Sequence, residues 1–125
     1  MILADTSVWI DHLRRGDPAL ARELDAGSVL MHPIVIGEIA CGTLRRRSEI
    51  LGLLRQMQPA PVATDDEALA FIERRSLAGR GIGYADVQLL ASVALGADLR
   101  LWTRDRHLAK VADALGVAYD ERAGG

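Results

Sequence analysis

Lysine is nearly absent from this chain: of its 15 cationic side chains only Lys110 is a lysine, and the rest are arginine. Cysteine is as scarce. Cys41 stands alone, so no internal disulfide can form, and its apolar helical surroundings predict a buried structural thiol. Aromatic residues make up 4% of the chain, too few for base stacking to be its main business. There is no run of the roughly 18 apolar residues that a membrane span requires. The opening Met1-Ile2-Leu3-Ala4-Asp5 lacks the basic stretch of a secretion signal, so a reducing cytoplasm is the expected setting. What is present is a chain of 125 residues, half of them hydrophobic. That is the length of one domain with a real core. Residues 1–122 are expected to form it, with Ala123-Gly124-Gly125 as a disordered tail.

Short apolar segments alternate with helical patterns. Met1 to Asp5 reads as a buried strand. A helix follows from Ser7 to about Arg15, with Thr6 or Ser7 as its cap. Pro18 opens a second helix that ends at Gly27. Ser28 to Met31 is a second strand, and Pro33 opens a helix carrying Ile34, Ile36, Glu38 and Ile39. Ser48 is expected to cap the next helix, with a brief strand near Val62. Thr64 caps a helix whose first turn is acidic, as the helix dipole favours. A glycine-rich loop over 79–83 leads to the helix Val87 to Leu95. Leu99 to Thr103 is a strand, Asp105 opens a helix, and Val117 to Tyr119 is a last strand. Strands separated by helices predict an α/β fold with a parallel sheet.

In such sheets ligands bind at the carboxyl ends of the strands. Asp5 sits at one such end, and Asp105 just past another. Glu38 is the only charge between Met31 and Arg45, and Asp86 begins a strongly apolar helix. Each has a plain structural reading: Glu38 on an exposed stripe, the three aspartates as helix caps. Four carboxylates meeting at one sheet edge would instead repel, and some would hold protons unless a cation lay between them. Oxygen ligands without His or Cys partners point to Mg²⁺ or Mn²⁺ rather than zinc. His12, His32 and His107 lack ligand spacing, and His32 before Pro33 reads as structural. A divalent ion on carboxylates activates water near neutral pH and neutralises charge on phosphorus, chemistry that suits phosphodiesters. No Gly-x-Ser-x-Gly elbow and no Walker A lysine loop offer another route.

The formal charge of −2 looks wrong for a nucleic-acid enzyme. With those four acids set aside the balance becomes +2. The arginines cluster as Arg14-Arg15, Arg45-Arg46-Arg47, Arg74-Arg75, and Arg104 with Arg106. Solvated helix faces explain any one cluster. Guanidinium forks around an acidic pit also suit phosphate.

Asp5-Thr-Ser-Val-Trp-Ile-Asp11, Ile36-Gly-Glu-Ile39, Ile82-Gly-Tyr-Ala-Asp86 and Leu101-Trp-Thr-Arg-Asp105 occur in that order. With them the sequence resembles the PIN-domain nucleases, and among these the VapC toxins of bacterial type II toxin–antitoxin systems, over almost its whole length. The resemblance implies a three-layer α/β/α fold whose central parallel sheet has about four to five short strands. It implies an endoribonuclease that uses Mg²⁺, or Mn²⁺, to activate water. Asp5 and Asp86 would be the main metal ligands, with Glu38 and Asp105 completing the pocket. Thr103 and Ser7 would hydrogen-bond the acids, and Arg14, Arg15, Arg104 and Arg106 would face RNA. It implies a homodimer and a cognate VapB-type antitoxin whose tail blocks the cleft, often with an arginine among the acids. The chain departs from the family pattern at His107, where an acid is common, and at Trp102 and Gln88, where aliphatic residues are. A non-catalytic module of the same scaffold, binding RNA or a partner, is the alternative. A receiver domain is disfavoured because Lys110 lies within a helix. A haloacid-dehalogenase-type phosphatase is disfavoured because Ser7 stands where its second Asp would be.

Overall fold

Strand β1 (Ile2–Ala4) is buried at all three positions, as a strand covered on both faces must be. It pairs in parallel with β2 (Val29–Leu30), Ile2 against Val29. On its other side it pairs with β3 (Arg100–Trp102), from Ile2 against Arg100 to Ala4 against Trp102. These contacts come from a computed structural model that describes residues 1–122; the tail expected at 123–125 lies outside the described residues.

The strand order is β2-β1-β3. The chain leaves β1 through α1 (Thr6–Arg15) and α2 (Pro18–Asp25) to reach β2. It returns through α3 (Pro33–Ala40), α4 (Arg47–Gln56), α5 (Asp65–Arg75) and α6 (Tyr84–Leu95) to β3, and α7 (Arg106–Ala114) follows. The two crossovers run in opposite directions along the sheet. Crossovers between parallel strands are almost always right-handed, so opposite directions put their helices on opposite faces. The point where the chain diverges lies between β1 and β3, and the crevice at their carboxyl ends is where this architecture places a site.

Among the described residues the sheet has three strands rather than the four to five expected. The segment near Val62 does not form a strand. It joins the sheet only through a bridge from Pro59 to Met31, and Pro59 and Pro61 have no N–H to extend the ladder. Val117 to Tyr119 likewise adds a single bridge, Ala118 to Leu101. Its two backbone bonds to Leu101, each 2.8 Å, are not continued.

Helix starts follow side-chain caps in most places. Asp17 caps α2, with Pro18 in the first turn. Thr64 and Glu67 form a reciprocal capping box on α5. The buried His32 caps α3, its Nδ1 accepting from the Ile34 amide at 3.0 Å. Burial pushes its pKa down, which keeps the imidazole neutral and structural. Two expectations fail. α4 begins at Arg47 rather than after a Ser48 cap, because Arg46 takes a left-handed conformation (φ 55°) and turns the chain there. Cys41 is exposed, not buried. It follows the last residue of α3, where the chain leaves the core that Val35 and Ile39 enter.

Candidate active site

Asp5 caps α1, the plain structural reading of this residue, whereas Thr6 and Ser7, the other cap candidates, lie inside the helix. Its Oδ1 accepts from the amides of Ser7 (3.0 Å) and Val8 (3.3 Å) and from the Ser7 hydroxyl (2.5 Å). Its Oδ2 accepts from the Thr103 hydroxyl, just past β3. The two hydroxyls are themselves fixed. Ser7 Oγ accepts from the Arg104 amide (2.9 Å), and Thr103 Oγ1 from the Asp105 amide (3.0 Å). The ends of β1 and β3 are thereby stitched together across the crevice. Burial pushes the Asp5 carboxyl up, against the lowering effect of these hydrogen bonds.

Asp86 lies in the first turn of α6 and accepts a long hydrogen bond from the Gly83 amide (3.4 Å). Burial pushes its carboxyl up, and the charges of Asp105, Asp5 and Glu38 push it further. Asp86 therefore stands within electrostatic range of the other three acids. Glu38 is exposed and held by the Thr6 hydroxyl at 2.6 Å, a contact signalled in the sequence only by the adjacency of Thr6 to Asp5. Asp105 caps α7 through the Leu108 amide at 2.9 Å. Capping and a place in the pit are therefore compatible for both Asp5 and Asp105.

The donor set around the pit is all oxygen, the chemistry of a hard cation. Among the described residues no three Asp, Glu, His or Cys side chains close on a single ligation point. A hard cation such as Mg²⁺ keeps several of its own waters and takes only one or two carboxylates directly.

The family model for the PIN domain matches residues 2–114. Ribonuclease VapC32 of Mycobacterium tuberculosis, in strains CDC 1551 / Oshkosh and ATCC 25618 / H37Rv, is 47% identical over 121 residues. The alignment spans 97% of this chain and 98% of that relative.

The chain belongs to the PIN-domain family, on its VapC branch.

In this PIN domain the arginines expected at the rim part company. Arg14, Arg15 and Arg106 are exposed. Arg14 lines a groove with Ile10, Leu13, Ile39 and Arg45, and Arg15 stands 3.6 Å from Asp11. Arg104 does not face solvent as a free cation. Its guanidinium meets Asp11 (2.7 Å), Asp17 (2.6 Å) and Glu121 (2.8 Å) and lies 5.5 Å from the centre of the Trp102 ring. Three carboxylates occupy the fork, which removes Arg104 from the residues available to phosphate. Sequence reading missed this because its neighbours are remote in the chain. The one signal was its place between Thr103 and Asp105, outside any continuous arginine run.

The departures from the family pattern also have structural accounts. Trp102 is buried, and its indole N–H donates to Glu121 at 2.7 Å. Gln88 is buried with its amide N–H₂ on the Tyr84 hydroxyl at 3.0 Å. Tyr84 in turn donates to Asp65 at 2.5 Å. His107 packs against the loop before α6, its Nδ1 2.9 Å from where a Cβ on Gly81 would stand. Among the described residues no helix is long and apolar enough to cross a membrane.

Proposed function

We propose that this protein is the toxin of a type II toxin–antitoxin pair, a divalent-metal-dependent endoribonuclease. What supports the reading is the neighbourhood of Asp86, whose carboxyl lies within electrostatic range of Asp105, Asp5 and Glu38, with the Thr6 hydroxyl tying Glu38 to the residue after Asp5. The full-length likeness to a protein named a ribonuclease supports it. Asp5 and Asp86 would hold Mg²⁺, or Mn²⁺ in its place, with Glu38 and Asp105 contributing directly or through water. When bound, the ion supplies a water of lowered pKa and neutralises charge on the phosphodiester.

The chain's own part is positioning. Ser7 and Thr103 fix the two oxygens of Asp5, and Thr6 fixes Glu38. Asp86, raised by burial and further by the charges of its neighbours, is an acid whose ionisation a cation would relieve. Arg14, Arg15 and Arg106 are the exposed cations proposed to meet RNA phosphates. A VapB-type antitoxin is the proposed partner, and a homodimer the proposed assembly. A segment of the antitoxin carrying an arginine into the pit would neutralise the same acids by another means.

The test is RNA cleavage with Mg²⁺, with EDTA, and by the Asp5→Asn and Asp86→Asn proteins. Cleavage is expected with Mg²⁺ in the unaltered protein alone. Equal cleavage in all samples would end the reading, and tight RNA binding without turnover under any divalent ion would turn it into a non-catalytic module.

A further inference from the structure

The guanidinium of Arg104 sits beside the pit yet touches none of its four acids. It joins three separate parts of the chain: Asp11 on α1, Asp17 at the cap of α2, and Glu121 beyond the last bridge to the sheet. About a quarter of the Arg104 side chain is exposed, and Asp17 is more enclosed still, at 13%. The Trp102 ring lies against the guanidinium, and the Trp102 indole N–H shares the Glu121 carboxylate with it. The Arg104 backbone amide donates to Ser7 Oγ, and the Thr103 hydroxyl donates to Asp5. Any shift of residues 103–105 therefore moves both hydroxyls that hold the Asp5 carboxylate.

We propose that Arg104 is a positioning residue: its three-carboxylate clamp fixes the 103–105 backbone, and through Ser7 and Thr103 sets the orientation in which Asp5 meets the metal. The inference deepens the metal-nuclease reading and rests on it for the last step only. It also gives Glu121, remote from the pit, an indirect hold on the Asp5 carboxylate. Groups that orient a ligand without touching the metal are typically worth about ten- to a hundredfold in metal affinity or activity.

Arg104→Gln leaves three facing carboxylates without their cation and can fail to fold, so Glu121→Gln and Arg104→Lys are measured beside it. Three readouts decide. The first is the Mn²⁺ dissociation constant by calorimetry. The second is kcat and KM for RNA cleavage. The third, on metal-free protein, is amide hydrogen exchange at Ser7, Val8 and Arg104 against the core amides of Leu101 and Val111. The folded clamp variants should exchange faster at the first three amides with the core unchanged. They should bind Mn²⁺ about tenfold more weakly for Arg104→Gln and less so for Glu121→Gln, and should lose kcat more than they gain KM. Arg104→Lys should recover part of each. Unchanged exchange and unchanged Mn²⁺ affinity in the folded variants would overturn the clamp. A rise in KM alone would overturn it too, and would return Arg104 to the RNA contacts. If the unaltered protein binds no Mn²⁺ and cuts no RNA, the nuclease reading fails, while the exchange contrast still decides whether Arg104 holds Asp5.

Discussion

Asp5 carries two duties on two oxygens: Oδ1 closes the start of α1, and Oδ2 is held by Thr103. Asparagine preserves the cap and removes the charge, whereas alanine removes both. Asp5→Ala should therefore cost about 1 kcal/mol of cap that Asp5→Asn keeps, though both abolish metal-dependent cleavage. Urea unfolding of the two metal-free variants measures the difference. The pH dependence of stability follows from the same carboxyls. Asp5 and Asp86 are raised by folding, so as pH rises the unfolded chain gives up these protons first. Their contribution is full below the unfolded value of about 3.9 and is lost as pH climbs through the folded value. Asp17 has the opposite sign. Its hydrogen bond with Arg104 lowers it, so its contribution is present above the unfolded value and is lost as pH falls through the folded one. Asp86→Asn should thus flatten the decline of metal-free stability from about pH 4 towards neutrality. Asp17→Asn should lower stability near neutral pH and flatten the acid limb. A pH series of urea midpoints checks both, and a steeper decline in Asp86→Asn would contradict the raised Asp86 carboxyl.

The loop between α5 and α6 delivers Asp86, and its geometry depends on glycine at two places. Gly79 and Gly81 both have positive φ, 73° and 80°. A side chain at either costs about 1–2 kcal/mol of backbone strain. At Gly81 a Cβ also meets His107 at 2.9 Å, whereas at Gly79 it meets nothing within 4 Å. Gly81→Ala should therefore destabilise more than Gly79→Ala, and His107→Ala should recover the excess only in the Gly81→Ala protein. A double-mutant cycle on unfolding free energies measures it. The glycine run itself was legible, as were the helices with strong caps, such as α5 with Thr64 and Glu67. The partner of Gly81 was not, because its contact with His107 is made across the fold. The strand near Val62 was misread for a related reason. Its apolar character is real, but the prolines around it forbid a ladder, and Val62 is more than half exposed. Cys41 was misplaced because its apolar neighbours were counted without allowing for the helix ending at Ala40.

Across the molecule, the four candidate acids could be picked out one at a time: Asp5 ends a strand, Asp86 and Asp105 stand at helix starts, and Glu38 is the lone charge of an apolar helix. The arginines could not be sorted, because exposure and pairing are properties of the folded chain: Arg104 is spent on Asp11, Asp17 and Glu121, while Arg106, two residues on, is exposed. The whole-molecule charge has two consequences. A cation bound only by the folded state stabilises it by mass action, by about 2.7 kcal/mol at a hundred times its dissociation constant. Mn²⁺ should therefore raise the melting temperature of the unaltered protein, and raise that of Asp86→Asn far less. An unmoved melting curve at millimolar Mn²⁺ would speak against a formed site. RNA affinity should respond to salt, because each phosphate contact releases counterions, about 0.7 per contact on a single strand. Arg106→Gln should weaken RNA binding evenly across sequences and flatten the plot of log affinity against log salt by about that one contact. Binding is measured in the Asp86→Asn background, where the substrate stays intact. Arg104→Gln should leave that slope where it is, since its charge is already matched by three carboxylates and no phosphate loses a partner when it goes.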